Sequence, residues 1–225
     1  MNRKKDNLAH NIINYIKNNK SIWLVSYWAI YLVWFVLIEK YIVSDYFVSY
    51  LPIDDMIPFV PGFVTMYVLW YPFIVFPIIW LYFKDIDAYK RYMWYIIIGY
   101  TVCMLVCTFF PNGQDLRPDI SGNENIFCSV IAGLYRIDTN TNVLPSLHVV
   151  GCIGTIAAAF DSHTLRNVRI PALILGILIS VSTVFIKQHS VLDMIAGIVV
   201  GLAVWLAVYV IYTKTVKGRK IICAK

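Results

Sequence analysis

The sequence predicts an all-α integral membrane protein built as a six-transmembrane-helix bundle. Two observations support this fold class. The 225 residues are 60% hydrophobic and only 14% charged, and the apolar residues fall in runs of roughly 18 residues or more, enough to cross the hydrocarbon core of a bilayer. A soluble domain has no interior large enough for this much apolar surface, so we expect one membrane-embedded domain.

Six apolar runs are predicted to be the membrane spans, and the fourth of them is short. They cover residues 22–38, 63–83, 92–110, 146–160, 170–187 and 191–212. These spans define a membrane domain over residues 22–212. The preceding segment, residues 1–21, is predicted to be cytoplasmic and to form either an amphipathic interfacial helix or a frayed tail. The final segment, residues 213–225, is predicted to be a basic cytoplasmic tail.

The basic residues are concentrated on one side of the predicted membrane domain. If the N-terminus is cytoplasmic, all but four of the 19 Lys and Arg residues fall in cytoplasmic segments, and the exceptions are Lys40, Arg117, Arg136 and Lys187. This is the positive-inside pattern of membrane proteins. It accounts for the net charge of +6 without a nucleic-acid partner. We therefore expect a multi-pass protein of the cell membrane with both termini cytoplasmic, and the abundance of Ile, Asn, Lys and Tyr suggests a bacterial one.

Three short polar strings interrupt the apolar sequence near the ends of predicted spans. They are Gln114–Pro118, Pro145–His148 and His189–Asp193. The predicted topology places all three at the outer face. Ionisable groups are costly to bury in a membrane, so they usually mark a functional site. The strings supply an arginine, two histidines and a carboxylate, which are side chains that a phosphate-handling enzyme needs.

His189 and Asp193 are four residues apart at the outer start of the sixth span. On an α-helix this spacing places both side chains on one face. A carboxylate bonded to one ring nitrogen fixes the tautomer and leaves the other nitrogen as a nucleophile. The competing interpretation is a polar pair that caps the helix or joins two spans. Gly197 and Gly201 continue the four-residue spacing and predict close packing against another helix, which we expect to be the fourth span.

Pro145-Ser146-Leu147-His148 is predicted to begin the fourth span. Proline suits the first turn of a helix, and the free N–H groups there favour an anion such as phosphate. Ser146 adds a hydroxyl donor, and His148 is placed to protonate a leaving oxygen. Alternatively, the string is an ordinary helix start, with Ser146 as the cap and His148 at the level of the lipid headgroups.

Three further side chains are candidates for binding phosphate. Arg117 carries a guanidinium that can hold phosphate in a bidentate fashion, and Gln114 can donate from its amide. Lys187 lies two residues before His189 and offers an ammonium group. The alternatives are contact with lipid headgroups for Arg117 and extension of Lys187 to the membrane surface.

The three strings together resemble the type 2 phosphatidic acid phosphatase family, whose usual pattern is K-x6-RP, then PSGH, then SR-x5-H-x3-D. The matching residues are Arg117-Pro118, Pro145-Ser146-Leu147-His148 with leucine in place of glycine, Ser182, His189 and Asp193. Phe110 and Thr183 stand where the family has a lysine and an arginine. Gln114-x-x-Arg117-Pro118, Pro145-Ser146-Leu147-His148 and Lys187-Gln188-His189-x-x-x-Asp193 are similar to the branch that includes inositol phosphorylceramide synthase and sphingomyelin synthase.

The resemblance implies an enzyme that needs no metal and no cofactor and acts on a lipid phosphate at the outer membrane face. His189 would attack phosphorus and form a phosphohistidine, Asp193 would orient it, and His148 would protonate the leaving group. The phosphate oxygens would be held by Arg117, Gln114, Ser146 and Lys187. Candidate substrates are phosphatidic acid, phosphatidylglycerol phosphate and undecaprenyl diphosphate.

Two alternatives stand beside the lipid phosphatase. A lipid phosphotransferase would use the same histidine chemistry with an acceptor alcohol in place of water. A non-catalytic transporter or lipid-binding bundle would keep the fold without the reaction. The five cysteines form no CxxC pair and fit no zinc spacing with histidine, so neither a disulfide framework nor a metal site is predicted. The expected partners are the lipid substrate and membrane lipids, and the oligomeric state is left open.

Overall fold

Most of the described chain is helical. The computed structural model describes residues 11, 13–41 and 45–212. From residue 27 onward the α-helices are α1 (Tyr27–Tyr41), α2 (Ile53–Met56), α3 (Val64–Val68), α4 (Trp70–Lys84), α5 (Ile86–Phe109), α6 (Ile126–Ile137), α7 (Leu147–Asp161), α8 (Arg169–Phe185) and α9 (Val191–Trp205). Short 3-10 segments lead into α1, α3 and α8, and they are Lys20–Ser26, Pro61–Phe63 and His163–Val168. A π-helical segment, Leu206–Tyr212, continues α9. The predicted tail, residues 213–225, and residues 1–10 of the predicted N-terminal segment lie outside the described residues.

Within the described residues, five helical stretches are long and apolar enough to cross a membrane. They are Lys20–Lys40, Pro61–Lys84, Ile86–Phe109, His163–Phe185 and Val191–Ile211. Each overlaps one of the predicted spans, which supports a multi-pass membrane protein. The predicted fourth span corresponds to α7, which has 15 residues. Such a helix is about 22 Å long, shorter than the hydrocarbon core of ~30 Å, so a sixth span stays a prediction.

A proline interrupts the second of these stretches near its start. α3 ends at Val68 and α4 begins at Trp70, with Leu69 between them. Pro72 lacks the N–H that would bond to the Val68 carbonyl oxygen, and its ring crowds that carbonyl. Tyr67 and Trp70 lie on either side of the interruption and are both buried. Residues three apart lie on one face of a helix, so both aromatic side chains point into the bundle across the break.

α7 lies in the middle of the helix packing, in contact with α5, α8 and α9. Its glycines let large side chains approach its backbone. A Cβ atom built on Gly154 would lie 2.4 Å from the Tyr95 ring, and one on Gly151 would lie 2.7 Å from the Tyr100 hydroxyl. Both tyrosines belong to α5 and are fully buried. This close packing fixes the first turn of α7, which carries the second polar string.

The predicted contact between the fourth and sixth spans is confirmed. A Cβ atom on Gly197 of α9 would lie 2.8 Å from the Ser146 carbonyl oxygen, and one on Gly201 would lie 2.7 Å from the Ile153 side chain. The Ser146 N–H also donates to the Asp193 carbonyl oxygen (3.1 Å). α7 and α9 therefore begin side by side. We call this end of the bundle, where the three polar strings lie, the site end.

A small β pair departs from the expected all-α class. β1 (Phe47–Val48) and β2 (Asn112–Gly113) run parallel, in a register that places Phe47 opposite Asn112. Gly113 also forms an antiparallel bridge to Thr141. Three loop segments meet here in extended conformation and satisfy each other's backbone groups. The pairing ties together loops that are far apart in the sequence and holds them at the site end.

Gly197→Leu is expected to lower the stability of the folded protein. The larger side chain would have to displace the Ser146 carbonyl or separate α7 from α9, at a cost of about 1–3 kcal/mol. Thermal unfolding of the detergent-purified protein should show a lower midpoint. Gly133→Leu is the matched control, because nothing lies within 4 Å of a Cβ atom built on Gly133. Equal losses in the two variants would contradict a packing role for Gly197.

Candidate active site

Backbone pairing brings a buried serine to the start of α9. Ser49 follows β1 directly, and its N–H donates to the Gly113 carbonyl oxygen (2.7 Å). The Ser49 side chain has no solvent exposure. Its hydroxyl lies 2.8 Å from the Ser190 hydroxyl and donates to the Asp193 carboxylate. A loop between the first two membrane-compatible stretches thus supplies a donor to the third polar string.

His189 does not lie on a helix, which corrects the sequence-based expectation. α9 begins at Val191, and the residues before it form a turn in which Lys187 has a left-handed backbone conformation (φ 55°). The His189 N–H donates to the Thr183 carbonyl oxygen (3.1 Å), which ties this turn to the end of α8. The turn still brings the predicted pair together, with His189 Nδ1 3.4 Å from Asp193 Oδ2.

Asp193 is a fully buried carboxylate with several partners. It forms a capping box with Ser190, whose N–H donates to Asp193 Oδ2 (2.8 Å) while its hydroxyl accepts from the Asp193 N–H (3.2 Å). Asp193 therefore does cap the helix, as the competing interpretation of the third polar string predicts. His189 Nδ1 lies near the same oxygen, but the two groups are not aligned as a hydrogen bond. One carboxylate thus caps α9 and also lies beside the imidazole ring.

The two predicted histidines face each other. His189 Nε2 lies 3.4 Å from His148 Nδ1, and both side chains are buried. His148 lies in the first turn of α7, as the sequence predicts, and Ser146 occupies the N-cap position. Pro145 precedes this cap, so the expectation of a proline in the first helical turn is wrong. The extended backbone of Ser146 delays the start of the helix until Leu147.

Aromatic rings and unpaired polar atoms surround His148. Its ring centroid lies 4.5 Å from that of Tyr67 and 4.3 Å from that of Trp70. His148 Nε2 and Ser146 Oγ are buried and have no hydrogen-bond partner among the described residues. Buried polar atoms are normally paired. These two atoms are therefore available to a ligand that reaches the start of α7.

The Arg117 guanidinium is occupied by acceptors from the protein itself. Nη2 donates to the carbonyl oxygens of Asp138 (2.7 Å) and Thr139 (2.6 Å). It also donates to the Gln188 side chain (2.9 Å), and Nη1 donates to the Tyr135 carbonyl oxygen (3.2 Å). Burial lowers the pKa of Arg117, and the charge of Asp138 opposes that shift. Nε alone lacks a partner in the described part of the chain, so Arg117 chiefly organises the loop before α7.

Gln114 and Lys187 are also held by backbone groups. The Gln114 amide donates to the Lys187 carbonyl oxygen (3.0 Å), and its oxygen accepts the Leu116 N–H (2.6 Å). The Lys187 ammonium donates to the Asp54 carbonyl oxygen (2.7 Å), and its side chain is only 7% exposed. The Asp54 carboxylate in turn accepts the Val191 N–H (2.8 Å). These contacts hold the turn that carries His189.

The two positions where the family pattern has cations are uncharged and make ordinary structural contacts. Thr183 is buried, and its hydroxyl donates to the Ser180 carbonyl oxygen (2.8 Å). Phe110 packs against Phe47, with ring centroids 5.4 Å apart. Neither side chain replaces the charge that the family pattern places there.

A cavity of about 400 Å³ opens beside the two histidines. Its apolar end is lined by Trp28, Tyr31, Leu32 and Phe35, and its polar end by Asp138, Asn142, His148 and His189, with Trp70 beside His148. Glu39 of α1 accepts a hydrogen bond from Asn142 (2.8 Å) at the polar end. The lining residues of α1 run from Trp28 to Phe35, so the cavity follows this helix for about 10 Å.

Sequence reasoning missed five residues of this site, namely Glu39, Ser49, Asp54, Asp138 and Asn142. A signal existed for three of them. Residues 138–142 read Asp-Thr-Asn-Thr-Asn and are separated by two residues from the second polar string, and Glu39 is a carboxylate at the end of a predicted span. Ser49 and Asp54 lie in a loop of ordinary composition. Among the described residues, no three His, Cys, Asp or Glu side chains are grouped to hold a metal ion.

The fold and the site describe a helical membrane protein with a buried His–His–Asp cluster. The model of the PAP2 superfamily matches residues 113–217, just under half of the chain. The matched region contains all three polar strings. The similarity indicates a membrane enzyme of the phosphatase or phosphotransferase type. No curated protein matches the chain, and no solved structure matches it.

Ser49→Ala is expected to destabilise the protein by about 1–3 kcal/mol, because it removes a donor from a buried carboxylate. Thermal unfolding in detergent should show a lower midpoint than that of the wild type. Ser129→Ala is the matched control, since the Ser129 hydroxyl is exposed and makes only a 3.5 Å contact with the Asn125 carbonyl oxygen. An unchanged midpoint for Ser49→Ala would show that Asp193 does not need this donor.

Proposed function

We propose that this protein is a lipid phosphate phosphatase of the PAP2 superfamily that works through a phosphohistidine. The observation that carries the proposal is the buried pair formed by His148 and His189, backed by Asp193, at the polar end of the cavity. A cavity with one apolar and one polar end suits a lipid phosphate. The lipid chain would lie along α1, and the phosphate would lie beside the histidines.

The proposed setting is the outer face of a bacterial cell membrane, with both termini cytoplasmic. The positive-inside pattern supports this topology. Two cytoplasmic termini require an even number of spans, so in this proposal α7, the predicted fourth span, crosses the membrane in addition to the five membrane-compatible stretches. Its short length would leave the Ser146 and His148 end recessed, at the depth where lipid phosphates lie.

In the first step, His189 Nε2 attacks phosphorus, and the bond from phosphorus to the lipid oxygen breaks. The Asp193 carboxylate holds the Nδ1–H and stabilises the positive charge that develops on the ring. His148 gives a proton to the departing lipid oxygen. The step leaves a phosphohistidine at residue 189 and a neutral imidazole at residue 148.

In the second step, water attacks the phosphohistidine. His148 takes a proton from that water, and the nitrogen–phosphorus bond breaks with its electron pair returning to His189 Nε2. Inorganic phosphate leaves, and His148 is again protonated. The two steps together hydrolyse one phosphate ester and restore both histidines without a metal or cofactor.

The proposed phosphate-binding groups differ in whether they already form hydrogen bonds within the protein. Ser146 Oγ has no partner in the described residues, and the first turn of α7 adds backbone N–H groups and a favourable dipole. Arg117, Gln114 and Lys187 already donate to protein acceptors. We therefore expect Ser146 and the start of α7 to contact phosphate directly. The other three would chiefly position the surrounding loops, and Arg117 would add positive charge nearby.

The dryness of the site favours a second candidate, a lipid phosphotransferase. Neither histidine is more than 8% exposed, and the cavity beside them is lined mainly by aromatic and aliphatic side chains. An acceptor alcohol carried by a membrane lipid would enter such a cavity more readily than water. Gln114, the leucine of Pro145-Ser146-Leu147-His148 and Lys187-Gln188-His189 resemble the synthase-like branch and favour the same alternative.

His189→Ala is expected to abolish phosphate release, and His148→Ala to slow it about 100-fold or more, as for loss of a general acid. Release would be measured on lipid phosphate in mixed micelles. Labelling with a radioactive terminal phosphate should reveal an alkali-stable, acid-labile phosphoprotein that His189→Ala lacks. His163→Ala is the matched control, because His163 is exposed in another loop. Full phosphate release by a well-folded His189→Ala protein would contradict the phosphohistidine mechanism, whereas no release by the wild type would favour the non-catalytic bundle.

A substrate screen should separate the two enzymatic candidates. Phosphatidic acid, phosphatidylglycerol phosphate and undecaprenyl diphosphate would each be supplied with and without an acceptor alcohol. For a phosphatase we expect free phosphate with water alone, at a rate that the acceptor does not control. A phosphorylated product that forms only with the acceptor would instead identify the transferase.

A further inference from the structure

The polar end of the cavity contains a carboxylate that the proposed reaction does not use. Asp138 lines the cavity together with both histidines. One of its carboxylate oxygens accepts from the Tyr67 hydroxyl (2.8 Å), and the other has no hydrogen bond among the described residues. Tyr67 also packs on the His148 ring, at a centroid distance of 4.5 Å. The Tyr67 side chain therefore separates the free carboxylate oxygen of Asp138 from His148, the proposed general acid.

Asn142 supplies a second free acceptor in the same cavity. Its Nδ2 donates to the Glu39 carboxylate (2.8 Å), which fixes the orientation of the amide because a carboxylate needs a donor. Its Oδ1 is buried and unpaired within the described part of the chain, and the side chain is only 8% exposed. Buried acceptors are normally satisfied, so a ligand that donates hydrogen bonds fits this position.

Phosphate does not fit these two acceptors. An ionised phosphate ester is itself an acceptor, and a carboxylate repels it. The group that fits must donate hydrogen bonds. Arg117 donates to the Asp138 carbonyl oxygen (2.7 Å) and already places a cation here. A neutral hydroxyl therefore suits the position better than a second positive charge.

We propose that Asp138 and Asn142 form a hydroxyl-binding subsite and that Asp138 determines substrate specificity. This inference rests on the proposed phosphohistidine chemistry. It selects lipid phosphates whose leaving group carries a free hydroxyl beside the phosphate ester, or an acceptor alcohol with such a hydroxyl. Of the three candidate lipids, phosphatidylglycerol phosphate has this hydroxyl, whereas phosphatidic acid and undecaprenyl diphosphate lack it.

The test compares hydrolysis of phosphatidylglycerol phosphate and phosphatidic acid by the full-length protein. We expect kcat/KM to favour phosphatidylglycerol phosphate about tenfold or more, and Asp138→Asn to reduce this ratio about tenfold, the order expected for one hydrogen bond to a charged group. Asp119→Asn, in an exposed loop, is the matched control and should keep the ratio. Tyr67→Phe should keep it too. If Tyr67→Phe lowers the ratio as much as Asp138→Asn, the assignment to Asp138 is wrong.

A second arm supplies glycerol with phosphatidic acid as the phosphoryl donor. A glycerol oxygen would bond to phosphorus as the His189–phosphorus bond breaks, and its proton would pass to His148. Glycerol phosphate formation that falls about tenfold in Asp138→Asn would support the inference and place the hydroxyl on the acceptor. If no glycerol phosphate forms and kcat/KM is equal for the two lipids, the inference is overturned. A substrate preference or a transfer activity that persists unchanged in Asp138→Asn would also overturn it.

His189→Ala distinguishes failure of this subsite from failure of the proposed function. Phosphate release that persists in His189→Ala would contradict the phosphohistidine mechanism and the subsite with it. Release that is lost in His189→Ala, from a wild-type protein without preference or transfer, would contradict the subsite alone.

Discussion

The site depends on the burial of one charge. Asp193 has no exposed surface, and a carboxylate in such a position is stable only when it is paired. Its partners are the Ser49 hydroxyl, the Ser190 N–H and, at 3.4 Å, the His189 ring. Since Ser49 comes from a distant loop, satisfying this one charge fixes the loop, the turn before α9 and the helix itself relative to each other. The helix cap and the proposed chemistry share this one carboxylate.

His189 Nδ1 lies 3.4 Å from Asp193 Oδ2 without an aligned hydrogen bond, while the same oxygen accepts the Ser190 N–H (2.8 Å). In the proposed reaction the ring becomes positively charged, and its attraction to the carboxylate increases as that charge develops. An interaction that strengthens along the reaction path accelerates it, whereas one already complete in the resting state does not.

The sequence predicts those parts of the protein that depend on local patterns. Apolar run lengths locate the helical stretches, and the four-residue spacing of Gly197 and Gly201 predicts the contact with α7. The partners of Arg117 could not be predicted in the same way, because they are carbonyl oxygens whose positions depend on how the loop before α7 folds. The position of His189 before the helix depends on a left-handed residue and a cap. The role of Ser49 depends on β pairing with a segment more than sixty residues away.

The position of the cavity beside α1 also determines which concentration of a lipid ligand sets its rate of encounter with the protein. Leu32 lines the cavity and is 55% exposed on the outer surface of the bundle. The Leu32 side chain therefore separates the apolar end from the outside of a helical stretch that is apolar enough to lie in a bilayer, where a lipid could enter past it. A ligand that enters by this route arrives by lateral diffusion within one leaflet. Its encounter rate is then set by its mole fraction among the surrounding lipids. Dilution with inert lipid slows encounter, whereas dilution of the whole suspension with buffer does not.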